Sequence, residues 1–435
     1  MRDIVLTAFI FGTLPFVLFR PYLGILEWTW ISFMNPHRLT WSFAYEMPFA
    51  MIVALTTLLG LLMSREPKKI PWTRESVLLL LFITWVFATS LQAIYPALAW
   101  EKMNQFWKIL LMVYVTMMVM QSKERLNLLV WVIALSIGFY GVKGGIFTIV
   151  HGGVYHVRGP EGSFIGGDNE MGLALIMTIP LLRYLQLAAR SFWIRGGLAA
   201  ASLLCAVATV GSQSRGALLG LVTMGTFLWL KSRNKIFTAL LGGLAVGLVL
   251  MVMPQEWYDR METISTYQTD ASAMGRINAW KMAFNMAKDR PLGGGFDSFH
   301  EYTFKLYAPD PGDVHDSHSI YFEVLGDHGF IGLAIFLLLG LMTWRTASWV
   351  IKRARRDRER RWLADLSAMV QVSLVGYASA GAFLGLAYFD YYYTLIALVV
   401  LCKTVLITES FGRVAQPVSS KMQPHPIGQP ASTPG

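Results

Sequence analysis

DVHDSHSIYFEVLGDHGFIG, residues 313–332, opens with two histidines, His315 and His318, and two acids, Asp313 and Asp316, then turns apolar and runs into a long hydrophobic segment. A polar, histidine-bearing turn at the mouth of a membrane helix points to chemistry at a membrane surface. The composition of the whole chain agrees with a membrane setting. Its 435 residues are 54% hydrophobic and 15% charged, with a mean hydropathy of +0.47, whereas soluble domains carry about 25% charged residues. Apolar runs near the ~20 residues needed to cross a hydrocarbon core recur throughout. They are continuous, unlike the short alternating segments of a membrane β-barrel. The expected fold is an all-α polytopic membrane protein.

Working outward, the apolar runs fall at about 4–19, 43–63, 76–94, 105–120, 126–150, 171–182, one ending near 210, 217–230, one ending near 253, 318–344, 366–386 and 395–407, which makes about twelve transmembrane helices. The aromatic piece at 22–33, with Trp28 and Trp30, is too short to cross comfortably and reads as interfacial, where tryptophan is favoured. The chain divides into helices one to nine (1–253), a large outer segment with an amphipathic helix (254–317), helices ten to twelve (318–411), and a tail (412–435) rich in Pro, Ser and Gln that reads as disordered. The first run follows a single basic residue, Arg2, and lacks an A-x-A site, so it reads as a retained helix rather than a signal peptide. Cys205 and Cys402 lie inside apolar runs with no CxxC spacing and read as small buried hydrophobes.

The net charge of +10 does not call for nucleic acid, because the basic residues sit in short loops between apolar runs. Placing the basic loops 64–75, 121–125, 183–195, 231–235 and 345–365 in the cytoplasm satisfies the positive-inside rule. Both termini then fall inside. The loops 151–170, 211–216 and 254–317 and the turn at Asp390 fall outside. Arg158, Arg215, Arg276 and His318 end up on the outer side, against the prevailing charge rule, and need another reason to be there.

Arg215 sits in GSQSRG, residues 211–216, where small neighbours let a backbone approach a ligand and the guanidinium fork matches phosphate oxygens. The plain alternative is an interfacial arginine reaching lipid phosphate. Residues 272–290, SAMGRINAWKMAFNMAKDR, have helical apolar spacing at Ile277, Trp280, Phe284 and Ala287, and Arg276 stands at the start of that helix. The PLGGG that follows, 291–295, matches no phosphate loop and reads as a helix stop. His318 follows Asp316 and Ser317, good N-cap residues. A helix N-terminus keeps an imidazole neutral and able to take a proton, which suits a general base. A metal held by His315, Asp316 and His318, or a mere polar cap, are the competing readings. Glu323, Asp327 and His328 lie in the apolar zone and either line a cavity or lock the bundle. Tyr321, one turn past His318, Arg158 and Asp327 are further candidates for contact with substrate, and Asp168 and Asn169 share the glycine-rich loop with Arg158.

In combination, Ser212 to Gly216, Arg276 with Trp280 and the PLGGG run, and His318, Tyr321, Leu325, Asp327 and Gly329 resemble the O-antigen ligase and polymerase superfamily. The amino-terminal half, with its MNPHRL segment, is similar to a branch described as exosortase-associated O-glycosylation ligases. Ser319 and Asp327 depart from the frequent Asn and Glu of the family pattern. The resemblance implies a multi-pass protein of the bacterial inner membrane, acting at the periplasmic face. It implies an inverting, metal-independent glycosyltransferase with no cofactor. The donor would be a glycan on undecaprenyl pyrophosphate, and the acceptor a lipid A-core sugar hydroxyl or, in related enzymes, a protein or growing glycan. Arg215 and Arg276 would hold the pyrophosphate and His318 would serve the acceptor hydroxyl. A flippase for the lipid-linked glycan is the reading from a different class.

Overall fold

The computed structural model describes residues 1–66, 68–232, 234–262 and 271–414. In chain order its helices are α1 (Arg2–Phe19), α2 (Pro21–Met34), α3 (Phe49–Met63), α4 (Arg74–Ser90), α5 (Pro96–Val119), α6 (Lys123–Val150), α7 (Asp168–Ala188), α8 (Phe192–Gly211), α9 (Arg215–Lys231), α10 (Lys235–Val252), α11 (Gln255–Glu262), α12 (Ala271–Asp289), α13 (Glu301–Tyr307), α14 (Ile320–Ala354), α15 (Arg361–Ala380) and α16 (Asp390–Val414). Among the described residues there is no strand.

Local signals explain the starts. Thr73 and Ser76 form a reciprocal capping box at α4, Ser122, Ser214 and Asn234 accept from backbone N–H groups at α6, α9 and α10, and Pro21 and Pro96 occupy first-turn positions of α2 and α5. Every apolar run read from the sequence contains a helix, although the run at 43–63 is helical only from Phe49. Among the described residues, eight helices are long and apolar enough to cross a membrane, namely α1, α6, α7, α8, α10, α14, α15 and α16, and α3 is a shorter apolar helix. In their most apolar windows α7 is 83% buried and α16 78%, while α1 is 11% and α10 0% buried. The first pair therefore forms the centre, and the second pair turns its hydrocarbon outward, as a helix facing lipid does. Cys205 and Cys402 are free and buried.

The basic loops gather at one end. Arg125 makes two 2.7 Å bonds to Glu66, Gln121 donates to the Lys69 carbonyl, Lys123 lies over Trp362, and Arg360 pairs with Glu409 at 3.6 Å. Calling this the basic end, the C-terminal helix finishes there; α16 runs to Val414, past the expected start of the tail at 412, and the remainder of the tail lies outside the described residues.

The expectation for α2 is corrected. It is no surface piece: Ile25, Trp28, Ile31 and Phe33 are buried, and Gly24 seats against Thr57 and Val17, where a Cβ would collide. Because α2 passes back through the bundle, α1 and α3 run in the same direction. Gly60 of α3 meets the backbone of Leu18 near the end of α1. At the start of α1, Asp3 accepts from the N–H groups of Ser42 (3.0 Å) and Ala44 (3.3 Å) in the loop before α3. The start of α1 and the end of α16 thus stand at opposite ends of the bundle, where the same side was expected for both. A cysteine introduced at Arg2 and one at Glu409 are expected to react with an impermeant maleimide from opposite faces of oriented vesicles. Labelling from the same face would contradict the threading of α2.

Candidate functional site

The end opposite the basic loops is organised by a break in α14. Gly329, at φ 67° and ψ −173°, interrupts the helix and leaves upstream carbonyls without their usual partners. The glycine run supplies them: Gly294 N–H donates to Gly326 O and Gly295 N–H to Asp327 O, both at 2.8 Å. Gly293 and Gly295 take φ of 71° and 78°, and a Cβ on Gly293 would stand 2.6 Å from the Asp327 carbonyl. The PLGGG run therefore ends α12 and also closes α14.

Side chains fasten the same joint. The Asp327 carboxylate, 2% exposed, accepts from Ser298 Oγ (2.8 Å), Ser298 N–H (3.2 Å) and Tyr388 OH (3.0 Å). His328 Nδ1 lies 2.7 Å from Thr89 Oγ1, and the His328 carbonyl accepts from Trp85. Of the two readings open for these intramembrane groups, the geometry gives Asp327 and His328 the locking one.

The polar turn is tied to α12. Asn278 donates to the carbonyls of Asp310 and Asp313, Trp280 donates to the Ser317 carbonyl at 2.8 Å, and the Trp280 ring stacks on Phe322 at 4.9 Å and 8°. Gly275 makes room for the His315 ring, which pairs with Asp313 at 2.7 Å. The helix packs into the protein through its small and flexible side chains. Gly275, Asn278, Ala279, Met282, Ala283, Met286 and Ala287 are buried, while Phe284 is 45% exposed. Small and flexible side chains let α12 sit close on α14, leaving the Ile277–Trp280–Phe284 stripe at the edge.

His318 precedes the helix cap, which is Ser319 and makes no side-chain cap bond. Burial pushes its imidazole below the usual histidine range, the nearby charges of Arg276 and His315 act in the same direction, and Asp316 opposes them. His318 also holds φ at 42°, and the other described non-glycine residues with positive φ, Asn35, Gln213 and Asp297, stand in loops at this same end. Backbone of this kind is costly and persists where surrounding contacts hold it.

Arg276 and His318 are thus brought into electrostatic contact. Arg215 opens α9 at the same end: Gly216 packs on Phe383, and Gly381 in the same turn packs on Ile320, two residues from His318. Arg158 is exposed on the neighbouring loop, which is joined to the GSQSRG turn by Val157 N–H to Gly211 O (3.0 Å) and by Gln213 to the carbonyls of Gly153 and Val154. Asp168 on that loop pairs with His156 at 2.8 Å. Tyr321 directs its hydroxyl to the Ala378 carbonyl at 2.8 Å. Among the described residues no group of three His, Cys, Asp or Glu side chains is arranged to hold a metal.

One cation was missed. Lys102 on α5 lies within electrostatic reach of Asp297, Glu323, Asp327 and Asp316. With Glu323, Phe296 and Tyr388 it lines a cavity of about 140 Å³, in which Glu323 accepts from Ala387 N–H at 2.9 Å. The signal was available: Lys102 sits on the outer side of its apolar run, against the charge rule, as Arg215 and Arg276 do.

Residues 1–188 match a family of unknown function, DUF5935. Residues 200–337 match the family described as O-Antigen ligase. No curated protein matches the chain. The second match runs from α8 into α14, contains Arg215, Arg276 and His318, and supports membership of the O-antigen ligase superfamily.

Proposed function

We propose that the protein is an inverting glycosyltransferase of the O-antigen ligase type, moving a glycan from undecaprenyl pyrophosphate to a sugar hydroxyl of the lipid A core. The observation that carries this reading is the pairing of a half-buried, neutral His318 with the Arg276 charge, at the end of the bundle opposite the basic loops. With the basic end in the cytoplasm, the site faces the periplasm of the inner membrane, the amino terminus shares that side, and the segment 254–317 lies outside. The apolar helices short of the usual spanning length complete the crossings.

The reaction is a single displacement. The acceptor oxygen attacks the anomeric carbon, the bond from that carbon to the pyrophosphate oxygen breaks, and the hydroxyl proton passes to His318. Arg215 and Arg276 hold the leaving pyrophosphate and offset its growing charge, most effectively in a site of low dielectric. Their two guanidinium groups carry the charge that a metal carries in other transferases. Lys102 and Glu323 stand within the same cluster and are suited to orienting sugar hydroxyls.

Purified protein supplied with donor and lipid A-core acceptor in detergent is expected to form the glycosylated product. Transfer onto protein or onto a second repeat unit instead would mark a related ligase or polymerase, and no covalent product at all would favour a flippase. His318→Ala is expected to lower turnover by ~10²–10⁴-fold, the usual contribution of a general base, and Arg215→Ala and Arg276→Ala to abolish transfer while the variants still insert. Arg276→Lys keeps the charge but loses the fork, and is expected not to restore activity.

The acidic limb of the kcat/KM profile is expected below the ordinary histidine pKa of 6.5, because the folded protein depresses His318. Only the deprotonated ring accepts a proton, so activity falls as pH drops through that value. Removing Asp316 as Asn is expected to move the limb to lower pH, and removing the Arg276 charge as Gln to move it to higher pH in whatever activity remains. A limb unmoved by both substitutions would remove His318 as the titrating base.

A further inference from the structure

A groove of about 460 Å³ lies between α7, α8, α9 and α10. Its walls are aliphatic along their length. Trp257 closes it at the end near the site, and Arg183 and Gln186 stand at the basic end. Two glycines open it: a Cβ at Gly225 or Gly242 would meet nothing within 4 Å. The outer wall, α10, has no buried residue at all. In a bilayer such a slot is shaped for hydrocarbon chains, and its polarity is set by what stands at each mouth.

Arg183 sets it. Its guanidinium donates to Gln186 and lies 5.3 Å from the Phe237 ring. Both are uncharged. The ionic group acting on it is Arg195, of the same sign, whose carbonyl accepts from Gln186. Among the described residues no carboxylate forms an ion pair with Arg183. A half-buried arginine at the mouth of an apolar slot, reinforced by a second cation and offset by no acid, is complementary to a phosphate on a lipid.

We infer that this groove binds an anionic phospholipid of the leaflet at the basic end, with its phosphate on Arg183 and an acyl chain running between α8, α9 and α10 towards Trp257. The head lies at the opposite end from His318, so this lipid is distinct from the glycan donor and the inference stands apart from the transferase reading. A bound chain would fill the space behind α9, the helix that begins with Arg215, and hold α10 against it.

The test uses the full chain, delipidated in detergent, with native mass spectrometry and thermal unfolding as readouts. Phosphatidylglycerol is expected to bind one per chain and to raise the unfolding temperature, with at least ~10-fold tighter binding than phosphatidylcholine of the same chains, as a charge-assisted contact gives. Arg183→Gln is expected to erase that preference, and Gly242→Phe, which fills the slot, to weaken both lipids. Equal binding of the two lipids, a preference that survives Arg183→Gln, equal stabilisation by glycerol 3-phosphate alone, or displacement of phosphatidylglycerol by a polyprenyl phosphate would each overturn the proposal. Should Arg183→Gln fail to fold, Gly242→Phe decides: unchanged phosphatidylglycerol binding overturns it.

Discussion

In a hydrocarbon environment every backbone N–H and carbonyl needs a partner within the protein, since water is not there to supply one. The break at Gly329 violates that rule locally, and the two bonds from Gly294 and Gly295 to the carbonyls of Gly326 and Asp327 restore it. The rest of the outer end depends on this repair. It fixes the end of α12 on the middle of α14, so that one helix presents Arg276 and the other is preceded by His318. Asp327 makes the joint specific, because its three donors come from the segment after the glycine run and from the turn before α16. Loss of any one would leave a carboxylate buried and poorly satisfied, a costly state.

With the joint in place, the polar turn has little freedom. Asn278 and Trp280 grip its carbonyls from one side, and Ile320 is backed by Gly381 from another. The left-handed backbone at His318 is held by these contacts. The position of the ring is thus set by helices on both sides rather than by the turn itself. The acids around Lys102, namely Asp297, Glu323, Asp327 and Asp316, place opposite charge within its reach.

Much of this was legible in the chain. Each apolar run contains a helix, the basic loops share one end, and the residues chosen because they broke the charge rule, Arg158, Arg215, Arg276 and His318, stand at the other. What was not legible depends on contacts between distant segments. The 22–33 piece looked interfacial because its length argues against crossing, and only the seat of Gly24 on Thr57 and Val17 shows it threaded inside; one extra pass then reverses the amino terminus. The face of α12 that packs within the protein was not read, because the value of small residues such as Gly275, Ala279 and Ala283 lies in close approach to a neighbour. The glycine run gave only its local meaning as a stop, since its second use needs Gly329, which lies more than thirty residues later in the chain. Lys102 was passed over although the charge rule that found the arginines applied to it equally.

The helix break also bears on how the chain is assembled. Residues 291–295 leave the ribosome before residues 326–329, so the donors that mend α14 are made ahead of the carbonyls that need them. The emerging helix thus meets a partner that has already been synthesised, and the final bent form of α14 becomes available only once the end of α12 and its glycine run are in position beside it.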